Sequence, residues 1–443
     1  MSGAGDTIAA VATGSGRAGI GIVRVSGPAV PSIARAIVGQ ALPAREASYL
    51  PFRDADGSLL DIGIALRFVA PHSFTGEDVL ELQGHGGAVV LDLLLARVLS
   101  LGARAAQPGE FSQRAFLNDK IDLAQAEAVA DLVESGSRGA ARAAVRSLSG
   151  KFSADVEQIV DELDALRAWL EAALDFSEED IDFLADPDLA RRTRELVDRF
   201  DRLLAKAGQG QRLRDGLTVV IAGVPNVGKS TLLNALAGVD SAIVTEIAGT
   251  TRDLLHEQIV IDDLPVHLID TAGLRETDDP IEREGVARAE RAVASADHVL
   301  VLLDANVPEL PTITLPEGVP QSRVLTRIDL SPESRRLLPA DRDLAVSAVT
   351  GEGMDDLRAH LVALAGYDSS LEGSYMARRR HLDALKQARA ATTAALARLS
   401  EGRMPELAAE ELRQARQSLE QITGRHDVDD LLGQIFTSFC VGK

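Results

Sequence analysis

The sequence predicts a mixed α/β and α fold: an N-terminal α/β domain, a helical domain split in sequence, and a second α/β domain inserted into it. Between residues 216 and 366, strand-like apolar runs alternate with helical segments, which is typical of a parallel sheet. Between residues 159 and 170, Ile and Leu recur at helical spacing, and helical patterns resume after Tyr375. The later helices need an apolar surface, and the earlier helices offer one. An inserted domain whose termini lie close together leaves such a bundle intact.

Length, composition and charge narrow the class of protein. The chain has 443 residues, enough for about three domains, and 46% of them are hydrophobic, which suffices for sizeable cores. A net charge of −21 excludes a general polyanion binder, so any contact with nucleic acid needs a local basic patch. The single cysteine, Cys440, excludes an internal disulfide. We expect a cytoplasmic protein without a membrane partner, since the N-terminus resembles no secretory leader and no uncharged apolar run could span a bilayer.

Residues 1–118 are expected to form the N-terminal α/β domain. Short strand-like runs lie at Gly19–Val25, Gly63–Phe68 and Asp78–Leu82. The segment Val89–Leu99 has the pattern of an amphipathic helix. Together these elements predict a sheet with at least one covering helix.

Residues 119–210 are expected to form the first part of the helical domain, and residues 371–443 the second part. Asp186 followed by Pro187 is a good helix start, because an N-cap carboxylate precedes proline at the first helical position. The segment Gly208–Gly210 is expected to be a linker into the inserted domain, which spans residues 216–370.

The most informative motif is the glycine-rich segment Gly223–Ser230. It fits the spacing Gly, four residues, Gly, Lys, Ser, and it lies between the apolar run Leu217–Ala222 and a helical segment from Thr231. In this context backbone N–H groups point at phosphate oxygens, Lys229 reaches the terminal phosphates, and the Ser230 hydroxyl can bind Mg²⁺. The alternative is a glycine turn with a surface lysine, which the strand–loop–helix context disfavours. The predicted nucleotide-binding residues here are Gly223, Asn226, Val227, Gly228, Lys229, Ser230 and Thr231.

Two further segments suit a nucleoside triphosphate with magnesium. An Asp-x-x-Gly motif follows the apolar run Val266–Ile269, where Asp270 can hold Mg²⁺ through water and the Gly273 N–H can sense a γ-phosphate. Between the two motifs, Thr251 is the candidate switch threonine that closes onto Mg²⁺. Leu274 stands where Ras-type proteins have the glutamine that orients water, so the catalytic group must come from elsewhere in this loop or from a partner.

Base recognition is expected just after the predicted strand that ends before Thr326. Where GTPases usually have Asn-Lys-x-Asp, this chain has Thr-Arg-Ile-Asp. Asp329 keeps the carboxylate that accepts two hydrogen bonds from guanine, and Arg327 can lay its stem over the base. Thr326 lacks the amide that ties the base pocket to the phosphate loop, which leaves the nucleotide affinity open. Ser347 and Ala348 fit the loop behind the guanine.

Several longer motifs narrow the class further. They lie at Ser73–Asp78, Glu81–Gly87, Pro108–Ser112, Phe116–Leu123 and Phe439–Lys443. The phosphate loop together with Ile247–Asp253 and Asp270–Arg275 resembles the translation-factor-related GTPases. With the longer motifs, the chain resembles the tRNA modification GTPase MnmE (TrmE) family from Asp6 to Lys443.

The resemblance implies an N-terminal folate-binding domain that dimerises, a split helical bundle and an inserted Ras-like P-loop GTPase domain. It implies a homodimer that forms a heterotetramer or larger complex with the MnmG protein, which carries FAD on its own chain. Together they would add an aminomethyl or carboxymethylaminomethyl group to C5 of the wobble uridine of certain tRNAs. A tetrahydrofolate derivative, in the 5-formyl or methylene form, would supply the one-carbon unit.

The resemblance also implies roles for single residues. A K⁺ ion would replace an arginine finger between two GTPase domains. Glu282 would orient the hydrolytic water, although a solvated acid in a charge-dense loop is the simpler interpretation of that residue. The implied ligands of K⁺ are Asn226, Thr245, Ile247 and Thr250, those of Mg²⁺ are Ser230 and Thr251, and those of folate are Arg24, Glu81, Lys120 and Lys443. Cys440 is a candidate thiol acid, base or nucleophile, or else a small buried residue.

Three functions remain open at the level of sequence. The leading hypothesis is a GTPase that takes part in tRNA modification, with the basic run Arg378–His381 as a candidate tRNA contact or a solvated helix start. A ribosome-assembly GTPase that acts as an RNA-binding timer is the alternative. It predicts a KH domain or a second GTPase domain, and the sequence has neither pattern. A dimerisation protein with a vestigial nucleotide site is disfavoured by the intact Lys229 and Asp270.

Overall fold

A computed structural model describes most of the chain as two compact units. The described residues are 5–14, 16–175, 187–224, 226–237, 256–270, 296–306, 318–330, 344–368, 373–400, 405–425, 429–437, 439 and 441–442. The first unit contains residues 1–133, 147–196 and 387–443, and the second contains residues 134–146 and 197–386. Among the helices of the described ranges, none combines the length and apolar character that a membrane crossing requires.

The first unit is built on a six-stranded sheet. Its strands are β1 (Ile8–Val11), β2 (Ala18–Ser26), β3 (Ser48–Arg53), β4 (Leu59–Phe68), β5 (Val79–Gly86) and β6 (Arg104–Ala105), and its helices are α1 (Val30–Val38) and α2 (Ala88–Ser100). The strands lie in the order β3-β4-β5-β2-β1-β6, and only β1 and β6 run parallel. The three predicted strands and the predicted helix of this domain are confirmed.

Alternation along the strands gives the two faces of this sheet different partners. Val23 and Val25 in β2 and Leu80 in β5 are fully buried in one apolar cluster with α1 and α2. Side chains alternate between the two faces of a strand, so Arg24 and Glu81, which are directly paired across β2 and β5, lie on the opposite face.

The helices described after this sheet are α3 (Glu110–Leu117), α4 (Leu123–Glu134), α5 (Arg138–Leu148), α6 (Lys151–Asp175) and α7 (Pro187–Asp215). The helical spacing between residues 159 and 170 is confirmed, because the Ile and Leu side chains of that stretch are buried in α6. Helix α7 begins at Pro187, as the sequence predicts.

The linker predicted at Gly208–Gly210 is wrong, because α7 continues without a break to Asp215. This helix needs a glycine at position 210, because the chain that leaves the inserted segment crosses it closely. A side chain at Gly210 would overlap the backbone carbonyl oxygen of Tyr375, whereas Gly208 has open space. The glycine therefore serves a close backbone approach and not a break in the helix.

The second unit contains another six-stranded sheet. Its elements are β7 (Leu217–Gly223), α8 (Lys229–Ala237), β8 (His256–Ile261), β9 (Leu264–Asp270), β10 (His298–Asp304), β11 (Gln321–Thr326), a 3₁₀ turn (Ile328–Leu330), β12 (Leu344–Ala345) and α9 (Met354–Ala365). The strand order is β12-β11-β10-β7-β9-β8, and only β8 and β9 are antiparallel. The predicted runs Leu217–Ala222 and Val266–Ile269 form β7 and β9, and the strand predicted to end before Thr326 is β11.

Sequence reasoning missed strand β8 and its hairpin with β9. Asp262 and Asp263 form the tight turn, with φ of 48° and 69°. Aspartates accept this left-handed backbone, and an Asp-Asp pair between apolar runs was the available signal. Asp263 Oδ1 also accepts a hydrogen bond from the Gly139 N–H at 3.0 Å, so the hairpin satisfies a free amide in the first turn of α5.

Among the described residues after 373, the helices are α10 (Arg379–Ser400), α11 (Pro405–Thr423) and α12 (Asp429–Thr437). Helix α11 packs along α6, so helices from before and after the inserted segment share one bundle. Phe436 in α12 and Phe439 join Leu123 and Ala126 of α4 in an apolar cluster. The helical domain is therefore split in sequence and continuous in space.

Replacing Gly210 by Ala is expected to destabilise the chain by about 3 kcal/mol, because the new methyl group displaces the Tyr375 carbonyl. Gly208→Ala is the matched control in the same helix, and it is expected to stabilise the helix by about 0.5 kcal/mol. Thermal unfolding followed by circular dichroism measures both changes. Equal shifts for the two variants would contradict the close crossing.

Candidate functional site

Four strands of the second unit end at one edge of its sheet, and this edge carries the predicted nucleotide motifs. The last residue pair between β7 and β9 is Ile221–Asp270, and the last pair between β10 and β11 is Asp304–Thr326. Gly223, the last residue of β7, pairs with β10 at the same level. Ligands of open parallel sheets bind outside the carboxyl ends of the strands, so this edge is the candidate site.

The phosphate loop connects Gly223 to Lys229, the first residue of α8. A side chain at Gly223 would lie 2.8 Å from that of Val227. Gly228 has a φ of 100° and Asn226 a φ of 62°, so the loop needs residues that accept a left-handed backbone. Lys229 folds over the loop and its Nζ donates to the Gly223 carbonyl at 2.8 Å. An ammonium group, a helix N-terminus and the loop amides therefore meet in one turn, which suits phosphate.

Thr326 connects the base-side segment, residues Thr326–Asp329, to the phosphate loop. Its hydroxyl donates to the Val227 carbonyl at 2.6 Å and lies 3.2 Å from the Leu303 carbonyl. The side chain is buried, with only 4% of the residue exposed. The sequence correctly indicated that the usual amide is missing, but a hydroxyl makes the connection to the phosphate loop in its place.

Arg327 is held by an acidic residue that sequence reasoning missed. Its Nη1 donates to Asp304 Oδ2 at 3.0 Å. Asn306 donates both its backbone and its side-chain N–H to the other oxygen, Oδ1, each at 2.9 Å. Burial raises the pKa of Asp304, but the hydrogen bonds from Asn306 and the charge of Arg327 outweigh it and leave the pKa below its ordinary value. The available signal was an aspartate at the end of an apolar strand, opposite Thr326.

Asp329 lies in the turn after β11, and Ser347 lies just after β12, the neighbouring strand. Asp329 is exposed in the 3₁₀ turn directly after the strand. Ser347 is fully buried, its Oγ accepts from the Thr350 N–H at 3.1 Å, and Ala348 follows it in the same turn. The structure thus gathers Thr326, Arg327, Asp329 and the Ser347–Ala348 turn beside β11.

The remaining predicted residues of this site are only partly covered by the structure. Ser230 and Thr231 are exposed in the first turn of α8, and the backbone of Asp270 ends β9. The side chain of Asp270 and the residues Thr245, Ile247, Thr250, Thr251, Gly273 and Glu282 lie outside the described residues, as do Cys440 and Lys443.

The N-terminal sheet brings together two of the predicted folate ligands. Arg24 Nε donates to Glu81 Oε1 at 3.0 Å, and Nη2 lies 2.9 Å from the same oxygen. The Arg24 guanidinium lies 5.8 Å from the centre of the Phe111 ring, a contact that sequence reasoning missed. Lys120 is exposed and lies beside Gly76. Gly442, near the C-terminal end, packs against Val11 of the same sheet.

A network of ion pairs fixes α3, the helix that carries Phe111. Arg104 and Arg114 both donate to the buried carboxylate of Glu110, and both also bind Asp6. Arg114 in addition donates to both oxygens of Glu77 at 3.1 Å. Burial raises the pKa of Glu110, but hydrogen bonds from Arg104, a backbone amide and Arg114 outweigh it, so the pKa lies below its ordinary value.

The sheet order and the loop together define the class of protein. A central strand that leads through Gly-x₄-Gly-Lys-Ser into a helix, in a sheet with a single antiparallel edge pair, is the architecture of a Ras-like P-loop domain. Aspartate after the base-side strand is the feature by which such domains select guanine. The chain is a P-loop GTPase.

Two family models match it: the GTP-binding protein TrmE N-terminus over residues 7–120 and the MnmE helical domain over residues 123–440. It is 54% identical to the tRNA modification GTPase MnmE of Pseudomonas entomophila, with 99% of each chain covered, and 54% identical to that of Chromohalobacter salexigens, with 99% of this chain and 98% of the relative covered. The chain belongs to the MnmE family of tRNA modification GTPases. Among solved structures, it is similar to Aquifex aeolicus Era bound to GDP and AlF₄⁻, at 26% identity and a TM-score of 0.26 over 39% of this chain and 66% of that one.

Replacing Glu110 by Gln is expected to destabilise the protein by about 2 kcal/mol near neutral pH, because Arg104 and Arg114 each lose one carboxylate partner, and that partner is the buried one. The pKa of Glu110 is lower in the folded state, so its contribution is present above the pKa of the unfolded chain and is lost as the pH falls through the folded value. The difference between wild type and variant is therefore expected to shrink in acid.

Urea unfolding between pH 3 and pH 7 measures this difference. Glu410→Gln is the matched control, since Glu410 binds Arg413 with both oxygens but is exposed to solvent, which screens the pair. A difference between wild type and Glu110→Gln that stays constant with pH would contradict the network.

Proposed function

We propose that this chain hydrolyses GTP as one component of a complex that adds an aminomethyl or carboxymethylaminomethyl group to C5 of the wobble uridine of certain tRNAs. The observation that carries the proposal is membership in the MnmE family along the whole chain. A phosphate loop at the carboxyl edge of the second sheet supports it, because that edge is where such domains bind nucleotides. The cytoplasm is the compartment in which its tRNA substrate is found.

The nucleotide would bind across the carboxyl edge with its phosphates at α8. Lys229 would neutralise the terminal phosphates, and Asp329 would accept hydrogen bonds from guanine. A hydroxyl oxygen at Ser230 and a carboxylate at the end of β9 are the hard oxygen donors that Mg²⁺ prefers, so the residues fit the ion. Mg²⁺ would be held by Ser230 and Thr251, with Asp270 acting through water. Bound there, Mg²⁺ supplies positive charge to the phosphate oxygens.

Hydrolysis would use a carboxylate and a monovalent cation. Glu282 would orient the attacking water, because Leu274 cannot polarise it. Asn226 is exposed and has a left-handed backbone. It suits an oxygen ligand of K⁺ at a surface where a second GTPase domain docks, and Thr245, Ile247 and Thr250 would complete the shell. Potassium-dependent dimerisation of these domains would then drive hydrolysis.

The N-terminal sheet would bind a tetrahydrofolate derivative. Glu81 binds Arg24 through Oε1, and its Oε2 accepts only a long hydrogen bond from Gln83, at 3.4 Å, so Oε2 would also accept from a pterin ring. Arg24, Lys120 and Lys443 supply positive charge for the glutamate tail of folate. Two copies of the chain would pair through this domain, and the FAD-containing MnmG protein would complete the complex.

Cells that lack this protein are expected to lose the C5 modification of the wobble uridine, and wild-type protein supplied in trans is expected to restore it. Mass spectrometry of nucleosides from purified tRNA measures the modification. Glu282→Ala is expected to leave it unrestored, because turnover stops while nucleotide still binds. Normal modification in the deletion strain would contradict the proposed function and would favour the ribosome-assembly alternative.

Replacing K⁺ by Na⁺ in the assay buffer is expected to slow GTP hydrolysis at least tenfold, because the smaller ion fits the oxygen shell of the loop poorly. Phosphate release measures the rate, and size-exclusion chromatography with GDP and AlF₄⁻ measures pairing of the GTPase domains. Lys229→Ala, which removes the phosphate contact, provides the background rate. Equal rates in the two salts would rule out the cation mechanism.

A further inference from the structure

The base-side segment of this chain departs from the usual Asn-Lys-x-Asp, and the structure shows which groups replace the two missing side chains. We propose that Asp304 is a positioning residue of the nucleotide site. It holds the Arg327 guanidinium in place beside the phosphate loop, so that Arg327 and the Thr326 hydroxyl together do what lysine and asparagine do elsewhere. The proposal rests on the proposed GTP binding.

The hydroxyl of Thr326 replaces the amide. Its oxygen lies 2.6 Å from the Val227 carbonyl of the phosphate loop and 3.2 Å from the Leu303 carbonyl of β10. A hydroxyl has one proton, so the shorter contact to Val227 is the hydrogen bond it makes. The Thr326 hydroxyl thus joins the base-side segment to the phosphate loop. Serine at position 326 would keep this hydroxyl, and valine would lose it.

An arginine at the position of lysine needs a partner that fixes it. Arginine has a long flexible stem and a planar head that stacks on an aromatic ring, whereas lysine ends in a compact ammonium group. Asp304 binds one edge of this head, through Nη1 at 3.0 Å, and leaves its faces uncommitted. The Arg327 side chain remains 41% exposed, so a face is available to a purine.

Asp304 is held at the carboxyl edge of the sheet by its own hydrogen bonds and by strand pairing. Its Oδ1 receives both N–H groups of Asn306 at 2.9 Å, which leaves Oδ2 for the guanidinium. Asp304 also pairs directly with Thr326 across β10 and β11. Arg327 has a φ of 60°, a backbone turn that takes its side chain out of the strand direction. A carbon atom added to Gly228 would lie 4.0 Å from both Arg327 Nε and Thr326 Oγ1, so both side chains lie beside the loop.

Asp304→Asn tests the proposal, because asparagine keeps the shape and can still accept from Asn306 but loses the charge that holds Arg327. We expect the Kd for a fluorescent GDP analogue to rise about tenfold, through faster dissociation, for a charged hydrogen bond that is partly exposed. The KM for GTP is expected to rise and kcat to stay unchanged. Asp297→Asn is the matched control: Asp297 accepts from the Thr218 N–H at 2.8 Å just before β10 begins, at the opposite edge of the sheet.

A double-mutant cycle separates positioning from a purely structural effect. In an Arg327→Met background, Asp304→Asn is expected to leave the Kd unchanged, since the carboxylate acts through the guanidinium. An equal loss of affinity in both backgrounds, or no loss in the wild-type background, would overturn the proposal. Thr326→Ser is expected to keep wild-type affinity and Thr326→Val to lose it. Equal affinities for these two variants would overturn the role of the hydroxyl.

The experiment uses the full chain in potassium and magnesium buffer, and circular dichroism confirms that each variant is folded. Wild-type protein that fails to bind the guanine nucleotide contradicts the proposed function itself. Wild-type protein that binds it, with Asp304→Asn indistinguishable from wild type, contradicts only the role of Asp304.

Discussion

The nucleotide domain depends on the register of four parallel strands that end at one level. Because β7, β9, β10 and β11 stop together, the residues that follow them occupy one edge although they are far apart in the chain. A shift of one residue would turn each strand's side chains to the other face and separate Thr326 from Val227. The hydrogen bond from the Thr326 hydroxyl to the Val227 carbonyl therefore forms only when the strands are in this register. This hydrogen bond fixes the distance between the phosphate loop and the turn that follows β11.

In the N-terminal sheet, the alternation of side chains along each strand gives the two faces different contacts. One face is apolar and packs under α1 and α2, while the other carries the Arg24–Glu81 pair. Two arginines and three carboxylates hold α3 against this sheet, and α3 places the Phe111 ring near Arg24. Buried charges are costly unless each is paired, and here every carboxylate of the network meets at least one guanidinium.

Sequence reasoning recovered the elements with strong local signals and missed those that depend on distant contacts. The phosphate loop, the strands around it and the helix from Pro187 follow from glycine spacing, apolar runs and capping chemistry. Gly208–Gly210 was misinterpreted because glycine in a helix usually marks a break. Gly210 is instead required by the close approach of the Tyr375 carbonyl, 165 positions later in the chain. Asp304 was missed for the same reason, since its partner Arg327 directly follows the neighbouring strand. Local sequence also could not show that the Thr326 hydroxyl reaches Val227.

The hairpin of β8 and β9 joins two distant parts of the second unit. Its turn ends in a carboxylate bound to the Gly139 amide of α5, and its other end is the backbone of Asp270 at the nucleotide edge. An extended strand has almost no slack along its axis, and β9 is about 23 Å long at its seven residues. Any sliding of Asp270 along that axis must therefore either pull Asp263 away from α5 or carry the start of α5 with it. The hairpin is therefore a stiff connection between the carboxyl edge of the sheet and α5, a helix that lies outside the sheet.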